Sequence, residues 1–464
     1  MEEKNSGWGL AVTTIILGTI VGTSSLLLSV LLDLTEHVFL HFRESNLVPV
    51  DISAGPGRRF LSVLVGGIVA AIIWYFLQRK YHPVSIAKAL DGKTMPLGKT
   101  FVHVCTQIFF VGTGNSIGRE LAPREAGAAI AQKWTRATHR YPWLYLNRED
   151  QKMLIAAAAG AGFAGVYIAP ITGAVFCIEL LYKKVNARVV AVSMTMSVIA
   201  TLIGSIVKGY EPYYLVGSQH YGLQLLPLVI ILGILNGAAG TFFKAGVKLA
   251  SKHRAVTKNV LVQLPLLAVL AGGVASFYPQ VMGNGRGLAQ LAMNANTSRQ
   301  ALLLLLFGLV AKVTITLGTI KCGGYGGILT PSIAAGAVIG VFAGVVYTSL
   351  VPGITLAQTA VLGAACFLAA SQQAPLMAMF MLFEVCHLDY TALLPLALGV
   401  ALAISTSKIL QKRFTYWENT QLLLPLIVVE WLPTGRDAGA SLSLFFCLSK
   451  QQQGIIKEET RVSH

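Results

Sequence analysis

The chain has 464 residues, of which 54% are hydrophobic and only 12% are charged, and its mean hydropathy is +0.65. Soluble proteins carry about twice that charged fraction, so the composition excludes an ordinary soluble domain. The net charge is +16. In a membrane protein such an excess of Lys and Arg marks cytoplasmic loops, so we expect no nucleic-acid partner.

Long apolar runs predict a polytopic α-helical membrane protein. A helix needs about 17–25 mostly apolar residues to cross the hydrocarbon core of a bilayer. In chain order the runs are residues 10–32, 61–77, 189–207, 226–243, 302–317 and 333–350. Two further apolar segments, 156–169 and 171–181, are too short to span and are expected to form half-helices. The expected location is the cell (inner) membrane.

The chain is predicted to form one integral domain over residues 1–432, followed by a short cytoplasmic tail at 433–464. The domain divides into two halves, at about 8–209 and 222–432. The six cysteines are scattered and form no Cys-x-x-Cys pair, so neither a metal site nor a disulfide framework is expected. We also expect no cofactor.

One six-residue frame, Gly-x-x-Leu-x-Pro, opens an apolar run in each half. Residues 118–123 read Gly-Arg-Glu-Leu-Ala-Pro, and residues 326–331, 208 positions later, read Gly-Gly-Ile-Leu-Thr-Pro. Glycines before a proline at a helix start leave backbone N–H groups free and directed forward, which makes an anion site without a fixed positive charge. Glu120 places a carboxylate at the mouth of one such site. A lone acid inside a membrane protein is costly unless it is functional.

A second pattern repeats in the same order along the chain. Ala-Pro at 169–170 precedes an apolar run that ends at Glu179, and Ala-Pro at 374–375 precedes one that ends at Glu384, 205 positions later. Two signatures at nearly the same offset imply two structural halves. Repeats of this kind place the substrate site near the bilayer midplane, between the halves.

These motifs resemble those of the CLC family of chloride channels and chloride/proton exchangers. Residues 118–120 are similar to its Gly-Arg-Glu-Gly-Pro motif, residues 326–331 to its Gly-(Ile/Lys)-Phe-x-Pro motif, and the two Ala-Pro segments match two of its helices. The resemblance covers roughly residues 61–425. It implies an all-α polytopic fold, in which an inverted repeat of two halves contains many tilted and half-spanning helices. The type implied is prokaryotic, without a cytoplasmic regulatory domain.

The resemblance also implies roles for matching residues. Glu120 would be the gating glutamate, whose carboxylate occupies an anion site and leaves it when protonated or displaced. The backbone N–H groups of Ile328 and Leu329 would coordinate the central anion. A gap-free count from residues 389–395 places the family's pore tyrosine on Tyr416, whose hydroxyl would donate to the same ion. The remaining anion-binding residues implied by the motifs are Gly118, Arg119 and Gly327.

The chain departs from the family pattern at three places. Residues 121–125 read Leu-Ala-Pro-Arg-Glu where the family usually has Gly-Pro, so the helix start and the ease of moving Glu120 are open. The family's chloride-binding serine motif has no clear counterpart, and Ser85 is a poor candidate substitute. Leu180 stands where exchangers carry an internal proton glutamate, directly after Glu179. Because leucine carries no proton, Leu180 favours the channel branch, although some exchangers manage without that glutamate.

Structural alternatives exist for the charged residues of these motifs. Glu120 is also compatible with an ion pair to Arg119 or Arg124, and Arg124 with a pair to Glu125. Glu179 is expected to bind backbone at a helix end rather than to carry a proton.

The leading hypothesis is a passive chloride channel gated by Glu120, voltage-gated and homodimeric by family resemblance. One alternative is a chloride/proton antiporter in which water or another acid, such as Glu179, replaces the missing glutamate. Another is a fluoride-selective variant, since the serine motif is altered. A membrane enzyme or metabolite carrier is disfavoured because the nine histidines are scattered and no His-Glu-x-x-His or Gly-x-Ser-x-Gly motif occurs. The expected partners are chloride or a related small anion, the lipid bilayer and a second copy of the chain.

Overall fold

Helices form nearly all of the regular structure. The computed structural model describes residues 7–419 except 46, 51–52, 139, 142–143 and 145, and it describes side chains as far as Arg413, without that of Lys80. The α-helices of this part are α1 Gly7–Leu40, α2 Pro56–Lys80, α3 Ile86–Leu90, α4 Leu97–Gly112, α5 Leu121–Thr138, α6 Arg148–Tyr167, α7 Pro170–Phe176, α8 Ala187–Lys208, α9 Leu226–Lys252, α10 Val260–Phe277, α11 Arg286–Met293, α12 Arg299–Lys321, α13 Leu329–Thr348, α14 Leu356–Gln372, α15 Pro375–Val385 and α16 Leu393–Asn419. Residues 433–464, the predicted tail, lie outside the described residues.

Eight helices of the described part are long and apolar enough to cross a membrane: α1, α2, α8, α9, α10, α12, α13 and α16. The six predicted apolar runs all fall on these helices. The two that the prediction omitted are α10, which contains Pro265, and α16, whose apolar stretch is interrupted by polar residues at 405–408. The predicted all-α polytopic class is confirmed.

One predicted half-helix begins earlier than its apolar segment. Residues 156–167 belong to α6, which begins eight residues earlier, at Arg148. The helix starts where the Asn147 side chain accepts a hydrogen bond from the Asp150 N–H, and Glu149 and Asp150 occupy its first turn. These polar residues favour a helix start but interrupt an apolar run, so hydropathy alone misses the first two turns. The other predicted half-helix is present as the short α7, which continues into a π-helical turn, Cys177–Tyr182.

Small residues bring the helices around the two motifs into close contact. A Cβ atom on Gly162 of α6 would overlap the backbone carbonyl of Pro123 in α5. A Cβ on Gly340 of α13 would likewise overlap the carbonyl of Thr359 in α14. In a membrane protein such packing replaces much of the hydrophobic driving force. It fixes α5 and α13, the two helices that follow the two motifs.

The apolar core shows where the two halves meet. One cluster of buried side chains lies wholly within the first half, with Leu17, Leu154 and Met196 among its members. The largest cluster draws on both halves and includes Tyr167 from the first and Leu329 from the second. The two motif copies therefore begin their helices at the junction between the halves.

Candidate anion site between the two motif copies

The two motif copies are joined directly through their backbones. Gly118 N–H donates to the Gly327 carbonyl and Gly327 N–H donates to the Gly118 carbonyl, both at 2.8 Å. This antiparallel bridge places the starts of α5 and α13 side by side. Residues 209 positions apart in the sequence therefore form one site.

Glu120 fills the space between the two helix starts. Its side chain has no exposure to solvent, and its Oε1 accepts a hydrogen bond of 2.6 Å from the N–H of Leu329, the first residue of α13. Among the described residues its Oε2 has no hydrogen-bond partner. The carboxylate thus occupies the position where a helix N-terminus favours an anion, which is the position that the family resemblance implies for it.

The glycines of both motifs make room for this carboxylate. A Cβ on Gly327 would overlap Oε1 and Cδ of Glu120, and a Cβ on Gly118 would overlap its carboxylate oxygens. Ile328 is the residue immediately before α13. The predicted residues Gly118, Glu120, Gly327, Ile328 and Leu329 are therefore brought together in one place.

Arg124 lies beside Glu120 and was not assigned a role in the site by the sequence. Its Nε donates to the Glu120 carbonyl at 2.7 Å, and its Nη2 lies 3.9 Å from Glu120 Oε1. The guanidinium also faces the rings of Phe176 and Phe163, at 5.0 and 5.8 Å from their centroids. Of the two ion pairs considered for Glu120, the one with Arg124 is present at this separation.

Two further polar side chains support the site. Tyr167, the last residue of α6, shares a hydrogen bond of 2.9 Å with the hydroxyl of Thr330. Lys312 of α12 is buried, and its ammonium donates to Ser116 Oγ at 2.8 Å and to the Gly283 carbonyl at 2.7 Å. Lys312 thereby anchors the segment that leads into the first motif. Lys312 could have been identified from the sequence as a lone lysine in the apolar run 302–317, because ionisable residues within membrane spans usually have a function.

Arg119 points away from Glu120 and pairs with Glu44, which precedes α2. Glu44 also accepts a hydrogen bond of 2.8 Å from Arg286 Nη1, and the guanidinium of Arg286 lies 3.8 Å from the ring centroid of Tyr213. Glu44 and Arg119 line a small cavity together with Glu36 and Gly283. The Arg119 side chain is therefore committed to an ion-pair network next to the site. Sequence reasoning missed Glu44 and Arg286 because they are 242 residues apart.

Glu125, the second acid after the first motif, belongs to a separate buried cluster. Gln107 Nε2 donates to Glu125 Oε2 at 2.7 Å, and His103 Nε2 lies 3.5 Å from the same oxygen. Trp74 Nε1 donates to His103 Nδ1 at 3.1 Å. Glu125 thus contacts α4 side chains rather than Arg124, which leaves Arg124 free to act on Glu120.

The two Ala-Pro helices are capped across the halves. Glu179 accepts hydrogen bonds from the N–H groups of Leu376 and Met377 at the start of α15, at 3.0 and 2.9 Å. Glu384 accepts from Ile171 N–H at 2.8 Å and from Thr172 N–H at 2.7 Å at the start of α7. Glu179 therefore binds backbone at a helix end, as expected, and that end belongs to the other half.

Leu180, which the sequence analysis took as a marker between channels and exchangers, lies in the π-helical turn and packs against the apolar core. Ser85 is exposed and caps the five-residue α3, where its hydroxyl accepts from Lys88 N–H at 3.4 Å. Its assignment to the anion site stays a prediction. Tyr416 falls on α16, but its side chain lies outside the described part of the chain.

The architecture and this site define a CLC-type membrane transport protein, and comparison with known proteins agrees. The family model described as "Voltage gated chloride channel" matches residues 66–408, so the chain belongs to that family. The voltage-gated ClC-type chloride channel ClcB of Salmonella typhimurium is 26% identical over 407 residues, covering 84% of this chain and 93% of the relative. ClcB of Citrobacter koseri is 27% identical over 409 residues, covering 83% of this chain and 92% of the relative.

Solved structures share the fold. A slow cyanobacterial Cl⁻/H⁺ antiporter superposes with a TM-score of 0.72 at 21% identity, covering 90% of this chain and 99% of that one. A CLC-type fluoride/proton antiporter superposes with a TM-score of 0.66 at 19% identity, covering 86% of this chain and 95% of that one. The chain is an integral protein of the cell (inner) membrane with a CLC-type anion transport fold.

Proposed function

We propose that the protein conducts chloride passively across the membrane and that Glu120 is the gate of the pathway. The observation that carries the proposal is the bond of 2.6 Å from Leu329 N–H to Glu120 Oε1. A carboxylate at the N-terminus of α13 occupies the place that a small anion would take. Protonation or displacement of Glu120 would vacate that place and leave the backbone donors for the anion.

Passive conduction is favoured by what surrounds Glu179 and Leu180. Glu179 accepts two backbone hydrogen bonds from α15, so its carboxylate already has a structural task. Leu180, the next residue, cannot carry a proton. The relatives named ClcB are described as channels, which agrees with this proposal.

A proton-coupled antiporter is the second candidate, and one observation favours it. His103 and Glu125 form a buried pair with 3.5 Å between Nε2 and Oε2, and Glu125 lies five residues along the chain from Glu120. Such a pair could hold a proton in place of the missing acid. The choice of anion is a further open alternative, because one structural neighbour is a fluoride/proton antiporter. Chloride and fluoride efflux measured from the same liposomes distinguishes the two anions.

The gating role is tested by Glu120→Gln in purified protein reconstituted into liposomes. Glutamine resembles the protonated acid and carries no charge, so we expect efflux that is high and nearly independent of pH. The wild type should instead become faster as the pH falls. Glu149→Gln is the matched control, because it removes a carboxylate that is 55% exposed at the start of α6 and should leave the wild-type profile intact.

An unchanged dependence of efflux on pH in Glu120→Gln would contradict the proposal, because the gate would then lie at another residue. The buried Glu125 would then be the first residue to test.

A further inference from the structure

Arg124 places a fixed positive charge next to the proposed gate, whose carboxylate accepts its hydrogen bond from the backbone N–H of Leu329. It follows Glu120 by one helical turn, and its side chain is only 10% exposed. Its Nη2 lies 3.9 Å from Glu120 Oε1, too far for a direct hydrogen bond but close enough for strong attraction in a low-dielectric interior.

The structural contacts of Arg124 fill only part of its hydrogen-bonding capacity. In the described residues its hydrogen bonding comes from Nε, which donates to the Glu120 carbonyl, while the guanidinium faces the Phe176 ring and Nη2 approaches Glu120 Oε1 only to 3.9 Å. A buried guanidinium normally binds acceptors through several of its N–H groups. The hydrogen bonding of the Glu120 carboxylate is also incomplete, since Oε2 has no partner among the described residues.

Other charged or titratable groups also face Glu120. Lys312 from α12 and Tyr167 from α6 are near enough to interact with it electrostatically, and α13 contributes the Leu329 N–H. Lys312 is held by Ser116 and two backbone carbonyls, and Tyr167 by Thr330. Of the two cations, Arg124 is the one with terminal N–H groups left for the gate or for an anion.

We propose that Arg124 is a charged element of the anion pathway with two tasks. In the closed state it stabilises the ionised carboxylate of Glu120. When Glu120 leaves, the guanidinium helps to bind the incoming small anion. This inference rests on the proposed gating role of Glu120.

The first task predicts a shift in the pH at which the gate opens. In Arg124→Gln the ionised form of Glu120 loses a stabilising neighbour, so protonation becomes easier. We expect half-maximal efflux at a pH about one unit higher than in the wild type. Arg136→Gln is the matched control, because it removes the same charge from an exposed position later in α5 and should leave the midpoint unchanged.

The second task is measured without the gate, in the Glu120→Gln background. Titration of purified protein with chloride should give about tenfold weaker binding in Glu120→Gln/Arg124→Gln than in Glu120→Gln alone. Arg124→Lys keeps the charge but not the planar fork, so it should lose less affinity than Arg124→Gln. It also provides a second variant if Arg124→Gln does not fold.

The outcomes separate this inference from the proposed function. If Glu120→Gln abolishes the pH dependence but Arg124→Gln and Arg124→Lys leave both midpoint and chloride affinity unchanged, Arg124 only shapes the start of α5 and the inference is wrong. If Glu120→Gln leaves the pH dependence intact, the gating proposal fails first.

Discussion

At the scale of single residues, the contacts of Glu120 fit the gating role proposed for it, because they hold its carboxylate only in part. The carboxylate is buried, which is costly for a charged group unless it is well paired. Three contacts offset part of this cost: a hydrogen bond of 2.6 Å from the Leu329 N–H, the N-terminal end of the α13 dipole, and Arg124 at 3.9 Å. A group held this incompletely can exchange its place with an anion at small net cost.

The glycine opposite the gate gives a direct test of this geometry. Gly327→Ala places a methyl group where the Glu120 carboxylate now lies, and the backbone at Gly327 has no positive φ that alanine would strain. Because the overlapping atoms are the end of a flexible side chain, we expect the carboxylate to be displaced and efflux at neutral pH to rise severalfold.

The control for this variant is Gly273→Ala in α10, where an added Cβ meets no atom within 4 Å. It should leave efflux unchanged. Reduced efflux in Gly327→Ala with normal stability would mean that the methyl group blocks the pathway instead of opening it.

Several site residues could be predicted from the sequence and others could not. Glu120, Leu329 and the motif glycines were identified because the motif repeats and each copy starts a helix. The role of Arg124 and the pairing of Arg119 with Glu44 depend on side-chain directions that only the packed structure fixes. Lys312 left a visible signal, a single charge in an apolar run, but its partners are set by the fold.

At the scale of elements, each half of the molecule caps a short helix of the other. Glu179 at the end of the first Ala-Pro segment binds the start of α15, and Glu384 at the end of the second binds the start of α7. Carboxylates at helix N-termini satisfy free N–H groups and favour the helix dipole. The repeated Ala-Pro…Glu pattern therefore joins the two halves through hydrogen bonds from each helix start to a glutamate of the other half.

The two caps are unequal, which leads to a prediction about stability. Glu384 accepts three hydrogen bonds, including one of 2.5 Å from Thr172 Oγ1, whereas Glu179 accepts two. We expect Glu384→Ala to lower the free energy of unfolding by about 2–4 kcal/mol and Glu179→Ala by about 1–2 kcal/mol.

Thermal unfolding of the purified protein in detergent measures both effects. Glu211→Ala, at an exposed loop position, should leave the melting temperature unchanged. Equal losses at Glu179 and Glu384, or a larger loss at Glu179, would show that the hydrogen-bond pattern does not determine the stability of this contact.

At the scale of the whole molecule, two repeated halves meet at the candidate anion site. The backbone bridge between Gly118 and Gly327 joins them at the centre, and the crossed glutamates join them nearby. Repeat offsets of 208 and 205 residues predicted two halves, and the structure shows the contacts through which they meet. The homodimer implied by the family resemblance stays a prediction, which the mass of the detergent-solubilised particle would test.

Passive conduction is the central claim, and the reversal potential of the reconstituted wild-type protein under combined chloride and pH gradients tests it most directly. A channel moves no protons with chloride, so we expect the reversal potential to equal the chloride equilibrium potential whatever the pH gradient. A reversal potential that moves when the pH gradient changes would contradict the account and would identify a proton-coupled exchanger instead.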